Sequence, residues 1–215
     1  MTSASATVRA AGVLAILAAA ACAAATHQTS STPVPYAAHT PPATHPAAYT
    51  DADVRFMAGM IGHHAQAVLM AGWAPSHGAS VALRALCERI VVGQRDEIVL
   101  MRRWLRDRHE AVPDIDTARD AMPGMTHAML MPGMLTPPQL AQLDSARGAD
   151  FDRLFLTFMI QHHMGAIVMV NQLFGTQGGG EEEIVYRFAS DVFADQTTEM
   201  DRMNRMLNAL KRSPL

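Results

Sequence analysis

Phe56-Met57-Ala58-Gly59-Met60-Ile61-Gly62-His63-His64 and Phe155-Leu156-Thr157-Phe158-Met159-Ile160-Gln161-His162-His163 are two copies of one segment. The match extends in both directions. Asp53 aligns with Asp152, Ala67 with Ala166 and Met70 with Met169. Further on, Gln94, Glu97, Met101 and Leu105 align with Gln196, Glu199, Met203 and Leu207. A repeat of this length is one supersecondary unit, and here the unit is a helical hairpin. The helical period runs over 51–72, 79–110, 149–174 and 181–211, with a short helix over 137–147. Breakers lie between: Gly72 to Gly78 with Pro75, the Pro/Gly/Met stretch 111–138, and Gly175 to Gly180. Thr50-Asp51 and Ser80 serve as N-caps, and Gly175 as a C-cap. Two hairpins with one apolar face each can bury those faces against each other. The expected fold is therefore all-α, an antiparallel four-helix bundle built from two repeated hairpins. Repeat one is 51–110, the Met-rich connection 111–148 and repeat two 149–211.

Composition agrees. Of 215 residues 49% are apolar but only 6% aromatic, and no stretch alternates as a strand would. The net charge of −3 shows no basic run, which excludes nucleic acid as the expected partner. Residues 1–22 hold one base, Arg9, no acid, and an apolar run from Gly12 to Ala21. They read as an export signal, too short to span a membrane as a mature helix. Cys22 follows three small residues, as in a bacterial lipobox, although Ala19 stands where Leu is usual. Lipidation at Cys22 is the expected membrane link, and cleavage between Ala21 and Ala25 is the other outcome. Residues 23–50, rich in Ala, Thr, Pro and Ser, form a flexible tether. The working compartment is outside the cytoplasm, whether secreted, periplasmic or on the outer face of the cytoplasmic membrane. Cys87 lies in an apolar helical pattern as a buried thiol.

Polar residues interrupt the seam where the core belongs. Residues three and four apart share a helix face. One stripe is Phe56, Met60, His63, Ala67 and Met70, repeated as Phe155, Met159, His162, Ala166 and Met169. Beside it run Asp53 with His64, and Asp152 with His163. On the partner helices Gln94 with Glu97, and Gln196 with Glu199, break apolar stripes at the same place. A buried carboxylate needs a hydrogen-bonded partner, a proton or a metal. Adjacent histidines differ by about 100° around a helix. One of each pair faces the bundle centre while its neighbour faces an adjoining groove. Two readings stay open: a metal site using these groups, and a His–Glu–Gln network that fixes helix register without metal.

The connection tips the balance toward metal. Met122, Met125, Met129, Met131 and Met134 fall within thirteen residues together with His127. Pro and Gly break any helical stripe there, so packing explains these methionines less well. Thioethers are soft donors that suit Cu(I), and imidazole accepts Cu(I) or Cu(II). The plainer alternative is a hydrophobic lid over the bundle end. An enzyme is not expected, and a weak ferritin-like metal oxidase is the lesser alternative. A di-iron oxidase needs Glu-x-x-His motifs that are absent here, and each half has one seam Glu. No Gly-x-Ser-x-Gly and no P-loop occurs.

These residues resemble the bacterial family known as domain of unknown function 305. Its pattern is Phe-Met-x-x-Met-Ile-x-His-His-x-x-Ala-x-x-Met-Ala, followed by Gln-x-x-Glu-Ile-x-x-Met-x-x-Trp-Leu. The first half matches from Phe56 to Ala71, then from Gln94 through Glu97, Ile98, Met101 and Trp104 to Leu105. The second half keeps the His162-His163 helix but has Met200 for Ile and Met206 for Trp. The resemblance covers about residues 51–210. It implies a ferritin-like bundle, usually exported, with some relatives that bind copper in the periplasm. Carried over to this chain, it implies copper as the bound ion, with His63, His64, His162, His163, Met60, Met70, Met159 and Met169 as the matching residues.

Overall fold

The computed structural model describes residues 48–114 and 130–212. Among them are five helices and no strand: α1 (Asp51–Gly72), α2 (Val81–Asp107), α3 (Pro137–Ser145), α4 (Gly148–Phe174) and α5 (Glu183–Arg212). The export segment with Cys22, the tether up to residue 47, and Met122, Met125, His127 and Met129 lie outside the described residues.

Local chemistry sets the helix ends. Thr50 caps α1 through a capping box with Asp53, and Thr136 caps α3 through one with Gln139. The Ser80 hydroxyl accepts from the Leu83 N–H at the start of α2. That helix stops at Asp107, three residues before the expected limit, and His109 beyond it takes φ 59°. Gly175 caps α4 at φ −79°, without the left-handed turn that usually calls for glycine there.

α1 packs on α2 and α4 on α5, and α1 against α4 joins the two hairpins. α2 and α5 make no comparable backbone approach. Asp53, in the first turn of α1, accepts a 2.7 Å hydrogen bond from the Gly180 N–H beyond the end of α4. Asp152, in the first turns of α4, accepts from the Ser80 N–H beyond the end of α1 at 3.1 Å. The central helices are therefore antiparallel, and each repeat's aspartate fastens the other repeat's interhelical loop.

The apolar core is divided into two clusters. One holds Ala67, Met70, Leu86, Ile90, Phe151, Phe155, Met159, Met200 and Met203. The other holds Phe56, Met57, Met60, Ile61, Ile98, Met101, Ala166, Met169, Ala189 and Val192. Along all four long helices the change from one cluster to the other falls at the same level. It falls at His63–His64 in α1, Gln94–Glu97 in α2, His162–His163 in α4 and Gln196–Glu199 in α5. Fully burying each Phe, Leu or Met in these clusters stabilises by about 1.5–3 kcal/mol. The polar layer between them forgoes that gain.

Candidate metal centre

The layer is built around four buried imidazoles. His63, His64, His162 and His163 are each at most 1% exposed. The rings of His63 and His162 face each other across the α1/α4 seam with centroids 3.8 Å apart. His64 lies 6.4 Å from His63, and His163 lies 6.3 Å from His162, centroid to centroid. At the ends, His64 Nε2 donates to Glu97 Oε2 and His163 Nε2 to Glu199 Oε2, both at 2.7 Å. The two carboxylates are about a quarter exposed. The result is a string across the bundle: Glu97, His64, His63, His162, His163, Glu199.

The hydrogen bonding decides which nitrogens are free. His63 Nε2 lies 3.0 Å from the Pro132 carbonyl, which only accepts, so Nε2 carries the proton. In His63, His64 and His163 the Nδ1 atom is then buried with no partner, and in His162 both ring nitrogens are. Burial, and after it the neighbouring His64, pushes His63 down to about 3. Burial, and after it His63, holds His162 well below the usual histidine range. Both are therefore neutral at physiological pH, the form in which imidazole offers a lone pair. Gln94, 3% exposed, has no partner for either amide atom, and Gln196 none for Oε1. An unsatisfied buried polar group costs about 1–3 kcal/mol. A register-fixing network would satisfy all its members; this layer leaves both His162 nitrogens, the other three Nδ1 atoms and the Gln94 amide open.

Sulfur surrounds the layer. Met60 precedes His63 by one turn of α1, and Met159 precedes His162 by one turn of α4; both are fully buried. Because the helices are antiparallel, Met169 reaches the level of Gly59, where its Cε lies 3.5 Å from the position a Cβ would take. Met131 Sδ lies 3.0 Å from that same position. Met70 is fully buried in the opposite cluster with Met159.

The described part of the Met-rich connection lies along the α1/α4 seam rather than over the bundle end. Met131 lies against Gly59 and Gly62, and Pro132 accepts from His63. Gln66 brackets Leu135: its Oε1 accepts from Leu135 N at 2.7 Å and its Nε2 donates to Leu135 O at 3.0 Å. Gln161 Nε2 donates to Gly133 O. Gly165 makes the close approach possible, since a Cβ there would lie 2.0 Å from Pro132 O. Met134 is buried at 9% exposure. Gln66, Gly165 and Gly62 were not among the candidate residues read from the sequence.

Asp53 and Asp152 are not brought to the histidines. Each stands ten residues before the first histidine of its helix, about 15 Å along the axis. Their carboxylates are taken up by Gly180 N, Thr50 N and Thr50 Oγ1 in one case and by Ser80 N in the other. Asp53→Ala would leave the buried Gly180 N–H without an acceptor. The expected loss is about 2–3 kcal/mol in the urea-unfolding free energy; an unchanged unfolding free energy would mean that the Gly180 amide finds another acceptor.

The donor set fits a soft or borderline cation. Neutral imidazole and thioether suit copper, whereas hard cations want oxygen. Among the described residues no three His, Cys, Asp or Glu side chains converge as a ready chelate. Ligation at the centre would thus combine the His63–His162 pair with sulfur.

Comparison with known proteins places this arrangement. The family model "Domain of unknown function (DUF305)" matches residues 53–207. A DUF305 fragment from Deinococcus radiodurans superposes with TM-score 0.63 at 25% identity, covering 75% of this chain and 98% of that one. A DUF305 protein from Streptomyces coelicolor, inferred to be secreted, gives 0.61 at 25% identity, covering 74% and 94%. CopM in its Cu(II)-bound form gives 0.59 at 28% identity, covering 73% of this chain and 96% of that one. CopM is also solved with Cu(I), with Ag and without metal. No curated protein matches the chain by sequence. With most of its folded length matched, the chain belongs to the DUF305 family of helical bundles.

Proposed function

We propose that this protein binds copper outside the cytoplasm, buffering or sequestering Cu(I) or Cu(II), and that it is not an enzyme. The observation that carries the reading is the buried layer of four imidazoles with unpartnered nitrogens, bordered by thioethers. Such a layer costs stability in the metal-free protein, and a cation that accepts lone pairs would recover it. The copper-bound CopM structures support the same reading, as does the inferred secretion of the Streptomyces relative. The sequence adds an export signal at residues 1–22 and the thioethers of Met122, Met125 and Met129. The unpartnered Gln94 and Gln196 amides count against a metal-free scaffold held by a His–Glu–Gln network.

The test is a Cu(I) titration of metal-free protein against a competing chelator. His162→Leu is the cleanest single change, because neither ring nitrogen bonds another group of the protein. Losing an outer partner of a metal ligand weakens binding by about 10- to 100-fold, so losing a ligand is expected to cost about 100-fold or more. A dissociation constant weaker than micromolar, unaltered when His63, His64, His162 and His163 are all replaced by Ala, would defeat the reading.

A further inference from the structure

The loop seals the α1/α4 side of the histidine layer, whereas Glu97 and Glu199 approach it from α2 and α5. Those two helices pack less closely on each other than α1 on α2, α4 on α5 or α1 on α4. Asp195 joins the carboxylates there, at i, i+4 from Glu199 on one face of α5. Partial burial, then the charges of Glu97 on α2 and Glu199 and Asp191 on α5, raises the Asp195 carboxyl above its ordinary range. Among the described residues no cation pairs with Asp195. Gln94 and Gln196 lie one turn from Glu97 and Glu199 on the same helix faces. They are 3% and 4% exposed, with no partner for either amide atom of Gln94 or for Oε1 of Gln196. The imidazoles that hold Glu97 and Glu199 are themselves fully buried, with open Nδ1 atoms.

We infer that copper reaches the histidine layer through the acidic cleft between α2 and α5, where Asp195, Glu97 and Glu199 draw the cation in and Gln94 and Gln196 line its way to the imidazoles. This rests on the copper-binding reading above. Like charges gathered beside a low-dielectric wall focus the field and raise the association rate of an oppositely charged ligand. Mutual repulsion among the three carboxylates is relieved when a cation arrives. On the opposite side the path is shut by backbone: the Pro132 carbonyl on His63 and the Leu135 amide on Gln66.

Stopped-flow mixing of the full chain with aqueous Cu(II), followed by tryptophan fluorescence, measures the association rate. Desalted samples report whether copper is retained. Asp195 is exposed, so its variants leave the core intact. At low salt Asp195→Asn is expected to slow association about threefold and Asp195→Lys about tenfold, with dissociation unchanged. The differences should vanish at about 0.5 M salt, where the screening length falls to a few ångströms. Asp150→Asn, which removes the same charge from an exposed site in the first turn of α4, should leave the rate alone. Unaltered rates in both Asp195 variants, or equal slowing by Asp150→Asn, overturn the cleft as the route while copper binding stands. No copper retained by the unsubstituted protein overturns both.

Discussion

Between pH 7 and pH 4.5 the metal-free protein is expected to lose at least about 2.5 kcal/mol of stability. An unfolded histidine takes up a proton near pH 6.5, whereas folded His63 does so only near 3 and folded His162 is also held low by burial. Throughout that window the unfolded chain binds more protons than the folded one. Stability therefore rises with pH there and falls on acidification. Both groups carry depressed folded values, so their contribution is fully present above pH 6.5 and drains as pH falls, for His63 down to about 3. A histidine that takes up its proton only in the unfolded chain contributes about 1.4 kcal/mol per pH unit. His63 over about two units gives the figure above, a sizeable part of the about 5–15 kcal/mol that holds a typical domain together, and His162, held low by burial, adds to it in the same direction. Asp195 works in the opposite direction: its raised carboxyl is relieved by a proton on acidification. Urea midpoints at pH 7, 5.5 and 4.5 measure the slope, and His162→Leu should make it shallower. A stability that stays flat to pH 4.5 would mean the central imidazoles are not buried neutral.

The bundle was legible in the sequence because the repeat carries its own packing instructions. Two hairpins with the same apolar stripe can close only on each other, and the stripes of Phe56 to Met70 and Phe155 to Met169 do meet, antiparallel. The aspartates were misplaced for a definite reason. Asp53 shares the stripe of His64, but it is also the third residue after Thr50, and that short-range capping geometry took its carboxylate. Asp152 lacks such a cap and spends its carboxylate on the Ser80 amide across the bundle, a contact no local pattern announces. Gln94 and Gln196 were visible as interruptions of a seam. Their open amides were not, since satisfaction of a polar group depends on what faces it.

Where the connection docks was also written in the chain, as a failure of the repeat. Gly62 aligns with Gln161, and Gln66 aligns with Gly165. The same two residue types are exchanged between the halves. The reason is the loop, a single strand of chain laid on a pseudo-twofold pair of helices. It needs room once on each helix and an anchor once on each helix. Gly62 gives room to Met131, and Gly165 to Pro132 and Gly133; Gln66 anchors Leu135, and Gln161 anchors Gly133. Only glycine suits position 133 as well, with φ 77° and the Gln161 carbonyl 2.6 Å from where its Cβ would be.

Gly165→Ala is accordingly the substitution expected to do most damage for one methyl group. The new Cβ would sit 2.0 Å from Pro132 O, 2.4 Å from its carbonyl carbon and 2.5 Å from Gly133 Cα. All three are backbone atoms, so no side-chain rotation relieves the overlap; residues 132–133 must leave the seam. Overpacking costs about 1–3 kcal/mol. The departing loop also takes the acceptor from His63 Nε2 and both partners from buried Gln66, at roughly 1 kcal/mol or more for each. A loss of about 3–5 kcal/mol is expected, with fast hydrogen exchange at the Leu135 amide that Gln66 now holds at 2.7 Å. Gly62→Ala is the matched control. Its Cβ meets only the flexible Met131 Cε, at 3.4 Å, and alanine favours helix by about 1 kcal/mol, so the stability should change little or rise. The pair also separates structure from ligation. If Met131 supplies sulfur to copper beside His63, Gly165→Ala weakens Cu(I) binding along with the fold, whereas Met131→Leu weakens binding alone. A Gly165→Ala protein with wild-type stability and a protected Leu135 amide would show that the loop does not rest on the histidine layer, and the sulfur donors would then have to come from Met60, Met159 and Met169.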